Sequence, residues 1–359
     1  MKIIRSSKCS LKYLTLKKEI SLRDILTEYG KVVNFFIEQF WQATPSKGQL
    51  LKDVLNRPTT WLTARLKKVA AREAIDMIFA SKKRFGEKAK MAVHKGKRMH
   101  ASSTIGTLHP PKKAKEYDGW LHLASIGNSL ILDIPLRFHK HFHKLSSRGK
   151  RLESYIITEH YVQFSFEIET GQKKEEGEIR GIDTGINTLA ALSDGRQFGH
   201  IDTDIEEIKR CEYGSKRQKK LRRALKQKIC EIAKASIAGA KLVVVEALKK
   251  MNNNTKREHR LSKNVRRTLG SWTYRYWLNR LEMTCEWNRV AFRTVSPMYT
   301  SQCCSACGYT ERRNRDARDF LCKKCGYTCD ADVNAAKNIL SRFLSGPYGA
   351  GFKPCLICP

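Results

Sequence analysis

The chain has 359 residues, enough for two or three domains with cores of their own. It carries 69 Lys and Arg against 35 Asp and Glu, a formal net charge of +34, and an excess of that size repels itself unless a polyanion neutralises it. Nucleic acid is the expected partner. Hydrophobic content is ordinary at 41%. No apolar run approaches the roughly 18 residues of a spanning helix, and the N-terminus lacks the apolar core of a signal peptide. These features exclude a membrane partner and lead to the expectation of a cytoplasmic, nucleoid-associated protein.

Residues 1–19 alternate loosely and predict a strand through Leu11, Tyr13, Leu14 and Leu16. Ser21 is a suitable N-cap for a helix in which Leu22, Ile25, Leu26, Tyr29, Val32, Val33, Phe36, Ile37 and Phe40 recur at helical spacing. Pro45 and Gly48 break it. A second helix is expected from about Thr60 to Lys88, with Trp61, Leu62, Leu66, Val69, Ile75, Ile78 and Phe79 on one face and a basic exterior elsewhere. Residues 90–118 lose apolar periodicity and read as a linker. Short strands then resume at Gly119–Ala124, Leu130–Leu136, Glu153–Thr158 and Tyr161–Ile168, which predicts a small barrel with the helical unit inserted in it.

After a polar hinge at Gln172–Glu178 the pattern changes. Ile179-Arg-Gly-Ile-Asp183 is a strand, Thr188–Leu192 another, and Asp194-Gly195 a hairpin signal. A very basic helix spans Ser215–Ala238, and Lys241-Leu-Val-Val-Val-Glu246 is a continuous apolar run of the buried parallel type. A helix near Ser271–Trp287 and a strand at Val290–Val295 complete a mixed α/β domain. It is interrupted by a Cys-rich insertion at about 299–329 and closed by a helix at about 331–344. Residues 345–359 read as a loose tail.

Cys304-Ser-Ala-Cys307 and Cys322-Lys-Lys-Cys325 are separated by fourteen residues. Four thiolates at this spacing match a structural Zn²⁺ site with no position left for water, and Gly308 and Gly326 supply the permissive backbone of two tight knuckles. Cys303 and Cys329 are competing ligands, and Cys355-x-x-Cys358 is a pair without a mate. Asp183 and Glu246 each end an apolar strand, and Asp332 begins the last helix, where Asp330 is placed to act as N-cap. If the two strands are neighbours, their acids share one end of the sheet. Three carboxylates without His or Cys make a hard oxygen site suited to Mg²⁺ or Mn²⁺, and two such ions serve phosphodiester hydrolysis. Lys216, Arg217, Lys219, Lys220, Arg222, Arg223 and Lys226, with Lys228, crowd the basic helix and predict phosphate contacts. Lys256, Arg257, Arg260, Arg266 and Arg267 extend the theme in a polar loop. His139, His141 and His143, alternating on an extended segment, are better suited to phosphate or solvent than to metal.

Gly181-Ile-Asp183-Thr-Gly185, continuing to Asp194-Gly195, resembles the first RuvC motif of the TnpB family, the RNA-guided nucleases of insertion sequences ancestral to type V CRISPR effectors. Val243-Val-Val-Glu246-Ala-Leu248 resembles the second motif and Asp332-Val-Asn334-Ala-Ala-Lys-Asn338 the third. The stretches around Cys304-x-x-Cys307 and Cys322-x-x-Cys325 resemble the family's zinc ribbon. Leu136–His139, Ser154–Ile157 and Tyr161–Phe166 resemble its wedge barrel. The sequence departs from the pattern at Cys303. The resemblance covers about residues 119–344 and implies an α/β multidomain fold. A wedge β-barrel of oligonucleotide-binding type would occupy 1–19 and 119–172, and a helical recognition unit with linker 20–118. A RuvC (RNase H-like) nuclease domain would occupy 173–298 and 330–345, with a zinc ribbon at 299–329 and a flexible tail at 346–359. It further implies Asp183, Glu246 and Asp332 as the catalytic, Mg²⁺-binding triad. The implied partners are a guide RNA from the flanking element and double- and single-stranded target DNA, cut beside a short adjacent motif. A nuclease-inactive or guide-independent DNA-binding repressor of the same fold is the alternative.

Overall fold

The computed structural model describes residues 2–111, 116–185, 188–247 and 274–345, which fall into two compact units, one over 2–169 and one from Thr170 onward. The first unit opens with β1 (Lys2–Ser10), in which Ile3, Ser7 and Cys9 are buried. The expected strand residues Tyr13 to Leu16 instead lead into α1 (Leu16–Phe40). That helix starts one and a half turns earlier than the Ser21 cap predicts. Ser21 is interior and its Oγ donates to Lys17 O at 3.1 Å. Lys17, Lys18 and Glu19 are good helix formers, and Glu19 lies in the first turn where the helix dipole favours an acid. The predicted stripe from Leu22 to Phe40 is buried throughout.

A short helix α2 (Lys52–Asn56) precedes α3 (Ala64–Phe85), capped by Thr63, whose Oγ1 accepts from Leu66 N. The buried face of α3 is Leu66, Ala70, Ala71, Ala74, Ile75 and Ile78; Phe79 points away and is 54% exposed. The stretch expected as a linker contains β2 (Arg98–Ala101) and β3 (Gly106–His109). Four residues are too few to show a period, and β2 is an edge strand that buries only Met99 and Ala101. Then follow β4 (Gly119–Leu123), β5 (Leu132–Leu136), α4 (Lys140–Ser146), β6 (Gly149–Thr158) and β7 (Tyr161–Glu169). The described strands form a four-stranded sheet, β1-β7-β6-β2, and a three-stranded one, β3-β4-β5, rather than one continuous sheet. Tyr155 Oη, donating to Gly106 O at 2.7 Å, ties them together. The three histidines are not on an extended segment. His139 is the N-cap of α4, its Nδ1 accepting from His141 N, and its Nε2 lies 3.1 Å from Lys8 O.

In the second unit β8 (Glu178–Asp183), β9 (Ala190–Leu192) and β10 (Gln197–Phe198) form an antiparallel meander turned by Asp194-Gly195, with Gly195 at φ 93°. After α5 (Asp202–Arg210) and α6 (Lys216–Ser236), β11 (Ala240–Glu246) pairs parallel with β8. Then α7 (Tyr274–Trp287) leads to β12 (Ala291–Val295), parallel to β11 on its other side. The order is β10-β9-β8-β11-β12, which puts β11 inside the sheet and explains its unbroken apolar run. Ile182, Val243, Val245, Ile229, Trp277 and Leu281 form the core. The Cys-rich insertion carries a small sheet, β13 (Arg315–Asp316), β14 (Asp319–Leu321) and β15 (Thr328–Asp330), and α8 (Ala331–Leu344) closes the unit. Helix α8 lies directly on β8. A Cβ at Gly181 would come within 2.3 Å of Ala336 O, so no other residue fits there. The basic loop of Lys256, Arg257, Arg260, Arg266 and Arg267, and the tail with Cys355 and Cys358, lie outside the described residues.

Candidate metal centres and nucleic-acid interface

The Sγ atoms of Cys304, Cys307, Cys322 and Cys325 all lie within 4.8 Å of one another, with Cys304–Cys325 at 3.8 Å and Cys307–Cys322 at 3.6 Å. A tetrahedral zinc with Zn–S near ~2.3 Å requires sulfurs about 3.8 Å apart, so the set fits the ion. The predicted glycines turn both knuckles, Gly308 at φ 76° and Gly326 at φ 74°. Burial would raise the Cys322 thiol, but the N–H groups of Cys325 and Lys324 outweigh it and bring it down to about 7. Cys303 is turned away from the cluster, its Sγ directed at Gly308 O. Among the described residues Cys303 and Cys329 stand outside the four-sulfur set.

The expected strand neighbours are in register, Ile182 opposite Val245, so Asp183 and Glu246 emerge side by side at the carboxyl ends of β8 and β11. Asp332 reaches the same place from the first turn of α8. Its Oδ2 lies 3.9 Å from where a Cβ on Gly185 would stand. Asp330 is the N-cap, its Oδ1 accepting from Asp332 N at 2.9 Å and Val333 N at 3.1 Å. Asp183 is pushed up to about 7, first by burial, then by the charges of Glu246 and Asp332. Glu246 is also raised, by burial, against the hydrogen bond from Thr300 Oγ1 and the charges of Arg342 and Arg315. Burial and both of these acids raise the Tyr274 phenol too. The three acids therefore share one electrostatic site, although among the described residues only the four sulfurs close to within 4.8 Å of one another. Each of the two outer acids is drawn aside. Thr300 holds Glu246, and Arg315 Nη2 holds Asp332 Oδ1 at 2.8 Å. The donor set, three carboxylates with no imidazole or thiol, fits a hard divalent cation.

Several further residues build the site. Thr300 and Arg315 are two of them. Asn334 and Asn338 are two more, fully buried one turn apart on α8. Asn338 Nδ2 donates to Thr300 O at 2.8 Å and Cys303 O at 2.6 Å, and Asn334 Nδ2 to Cys303 O at 2.7 Å. The i, i+4 spacing of two asparagines in an otherwise apolar helix was the available clue. Trp277 Nε1 donates to Thr184 Oγ1 and steadies the turn after Asp183.

On α6 the cap is Ser215, whose Oγ accepts from Gln218 N. Leu225, Ile229, Ile232 and Ala233 are buried, and Lys216, Arg217, Lys219, Lys220, Arg222, Arg223 and Lys226 are all exposed on the other side. Lys228 is the exception, paired with Asp204 at 2.7 Å. Buried Arg180 of β8 donates to Ser236 O and Ala238 O, a cation at the helix C-terminus that fixes the helix to the sheet.

A five-stranded sheet with an antiparallel meander, two further parallel strands, acids at their carboxyl ends and a four-cysteine insertion before the last helix defines a RuvC-type α/β fold carrying a zinc ribbon. Residues 274–339 match the Cas12f1-like TNB domain family. A putative RNA-guided DNA endonuclease, InsQ, of Escherichia coli K12 is 30% identical over 199 residues, 45% of this chain and 48% of that one. A TnpB-like protein of Aquifex aeolicus is 36% identical over 131 residues, 35% of this chain and 42% of that one. The chain thus spans about half the length of these curated relatives or less. A Cas12f1 structure solved with sgRNA and target DNA matches with a TM-score of 0.52 at 16% identity, over 91% of this chain and 83% of that one, a likeness of fold. Over these parts of its length the chain is similar to TnpB-like proteins and to Cas12f1.

Proposed function

We propose that the protein is an RNA-guided DNA endonuclease that cuts beside a short target-adjacent motif. The observation that carries the reading is the convergence of Asp183, Glu246 and Asp332 at the end of one sheet, where burial and mutual repulsion leave Asp183 in need of a cation. Those three residues would hold Mg²⁺ or Mn²⁺, and two such ions supply stabilisation of the attacking and leaving oxygens of a phosphodiester. Thr300 would orient Glu246, and Arg315 would orient Asp332. The exposed cations of α6 would hold the nucleic-acid backbone. The unit over residues 2–169 would serve as the wedge and recognition module. A guide RNA from the flanking element would read sequence by pairing, as in related effectors. Four reduced thiols suit a cytosolic setting. Cleavage is favoured over a binding-only repressor because keeping three carboxylates in one buried site costs stability that binding alone does not require.

The test is to express the full chain with its native flanking DNA and sequence the RNA that co-purifies. The recovered complex is then offered target DNA with Mg²⁺. A discrete RNA and guided cutting, abolished by Asp183→Ala with binding retained, is the expected result. Absence of a discrete RNA would defeat the reading.

A further inference from the structure

The three-stranded sheet β3-β4-β5 buries one face; on the other, Pro135 is buried, Trp120, His122 and Asp133 are partly exposed, and Thr107 and His109 are exposed. On β4, Gly119, Leu121 and Leu123 are buried, while Trp120 and His122 point the opposite way and are partly exposed. Register places His109 and Pro135 on either side of Trp120, and Thr107 and Asp133 on either side of His122. Trp120 continues into a chain of rings. Its centroid lies 5.5 Å from that of Tyr117, which lies 5.5 Å from that of Tyr13. Cations interleave with these rings. Lys18 Nζ stands 5.4 Å from the Trp120 ring, and the Arg137 guanidinium 5.2 Å from Tyr13 and 5.9 Å from Tyr117. The acids on this face are already engaged, Asp133 by His122 Nδ1 at 2.7 Å and Asp118 by Phe138 N at 2.6 Å.

We infer that this face is a stacking platform for the unpaired bases of a single-stranded nucleic acid. Partly exposed aromatic rings in a row, spaced by cations that suit phosphates, are the means by which sequence-tolerant single-strand binders work. A duplex hides its base faces and gains nothing from the rings. The formal charge of +34 makes a polyanion the natural occupant, and the rings select one with flat, unstacked groups. The inference deepens the proposed function and rests on its nucleic-acid partners, but it does not require cutting or a guide.

The test uses full-length Asp183→Ala protein, so that cleavage plays no part. Fluorescence anisotropy follows binding of labelled oligouridylate and oligothymidylate of about 12 nucleotides, and of a hairpin duplex of equal charge. Trp120→Leu is expected to weaken single-strand binding about tenfold, leave duplex binding unchanged, and leave the salt slope unchanged, while Trp120→Phe retains most of the affinity. Arg137→Ala is expected to lower the salt slope by about one. A uridylate preference over thymidylate would identify RNA as the occupant, and equal affinity would show that either strand type is accepted; both support the platform. A Trp120→Leu protein with intact melting and affinity within twofold of the parent overturns the inference. So does equal loss on single strands and duplex, or displacement of oligouridylate by polyglutamate. Should Trp120→Leu fail to fold, ultraviolet crosslinking of a thiouridine oligomer decides: adducts on peptides carrying Tyr117 or Trp120 support the platform, and adducts confined to other peptides refute it. Recovery of a discrete RNA together with a silent Trp120→Leu would sink the platform alone.

Discussion

Asp183→Asn should make the metal-free protein more stable, and only at neutral and alkaline pH. The carboxyl is pushed up to about 7 from an ordinary 3.8, by burial first and by Glu246 and Asp332 second. Between those two values the folded protein keeps a proton that the unfolded chain has released. Stability therefore falls as pH rises across that window, and the loss is complete above pH 7. About three units at 1.36 kcal/mol each give about 4 kcal/mol, a ceiling for one carboxylate in a shared site. Asparagine keeps the shape and has no proton to lose. For a unit of this size each kcal/mol moves the melting temperature by about 2–4 °C, so the variant should gain on the order of 10 °C at pH 8 and nothing near pH 4. The assay is thermal melting of both proteins in zinc-containing, magnesium-free buffer over pH 4–8, repeated with Mg²⁺. Magnesium should restore the parent and do little for the variant. A melting difference that does not change with pH would refute the reasoning, because the buried charge would then not be the cause.

Three further outcomes follow from named contacts. Cys322→Ser should release zinc, read by a colorimetric chelator, and lower the melting temperature of the second unit; equal melting would end the structural-zinc assignment. Asn338→Leu keeps the volume but strips a donor from Thr300 O and Cys303 O, so urea unfolding should report a loss of about 2–4 kcal/mol, and a loss below ~0.5 kcal/mol would show that the carbonyls find other partners. Replacing exposed Lys219, Arg222 and Arg223 of α6 by Ala should leave melting unchanged and reduce the slope of log affinity against log salt by about three; an unchanged slope would remove α6 from the interface.

What the sequence shows depends on how local the cause is. Helix α1 was legible because 25 residues hold one stripe, and β11 because a strand paired on both sides has no polar face to interrupt it. The four zinc thiols were legible as a spacing. The choice of Cys304 over Cys303 was not, because it depends on which way one knuckle turns its side chains. β2 was hidden as a four-residue edge strand, and the start of α1 by a stronger capping residue six positions downstream. His139, His141 and His143 misled because alternation was read as extension, whereas His139 ends its segment by capping a helix. Thr300 and Arg315 were invisible for a different reason. Their meaning lies entirely in partners 54 and 17 residues away, and no local pattern carries that.

Those two residues change what the insertion is for. Thr300 and Arg315 both belong to the stretch between β12 and α8, and each holds one outer acid of the site. The same stretch is fastened to α8 through Asn334 and Asn338, which grip the carbonyls of Thr300 and Cys303 beside Cys304 of the four-thiol cluster. Zinc ligation, the seating of α8 and the aim of Glu246 and Asp332 are therefore mechanically one arrangement. Asp183 stands on the sheet itself, apart from that arrangement, and it is the acid that burial, and then the charges of Glu246 and Asp332, push up to about 7. A ribbon acting merely as a nucleic-acid reader would need none of these inward contacts. One that sets the geometry and charge of the carboxylate site needs all of them, and so loss of zinc should first be felt at Glu246 and Asp332.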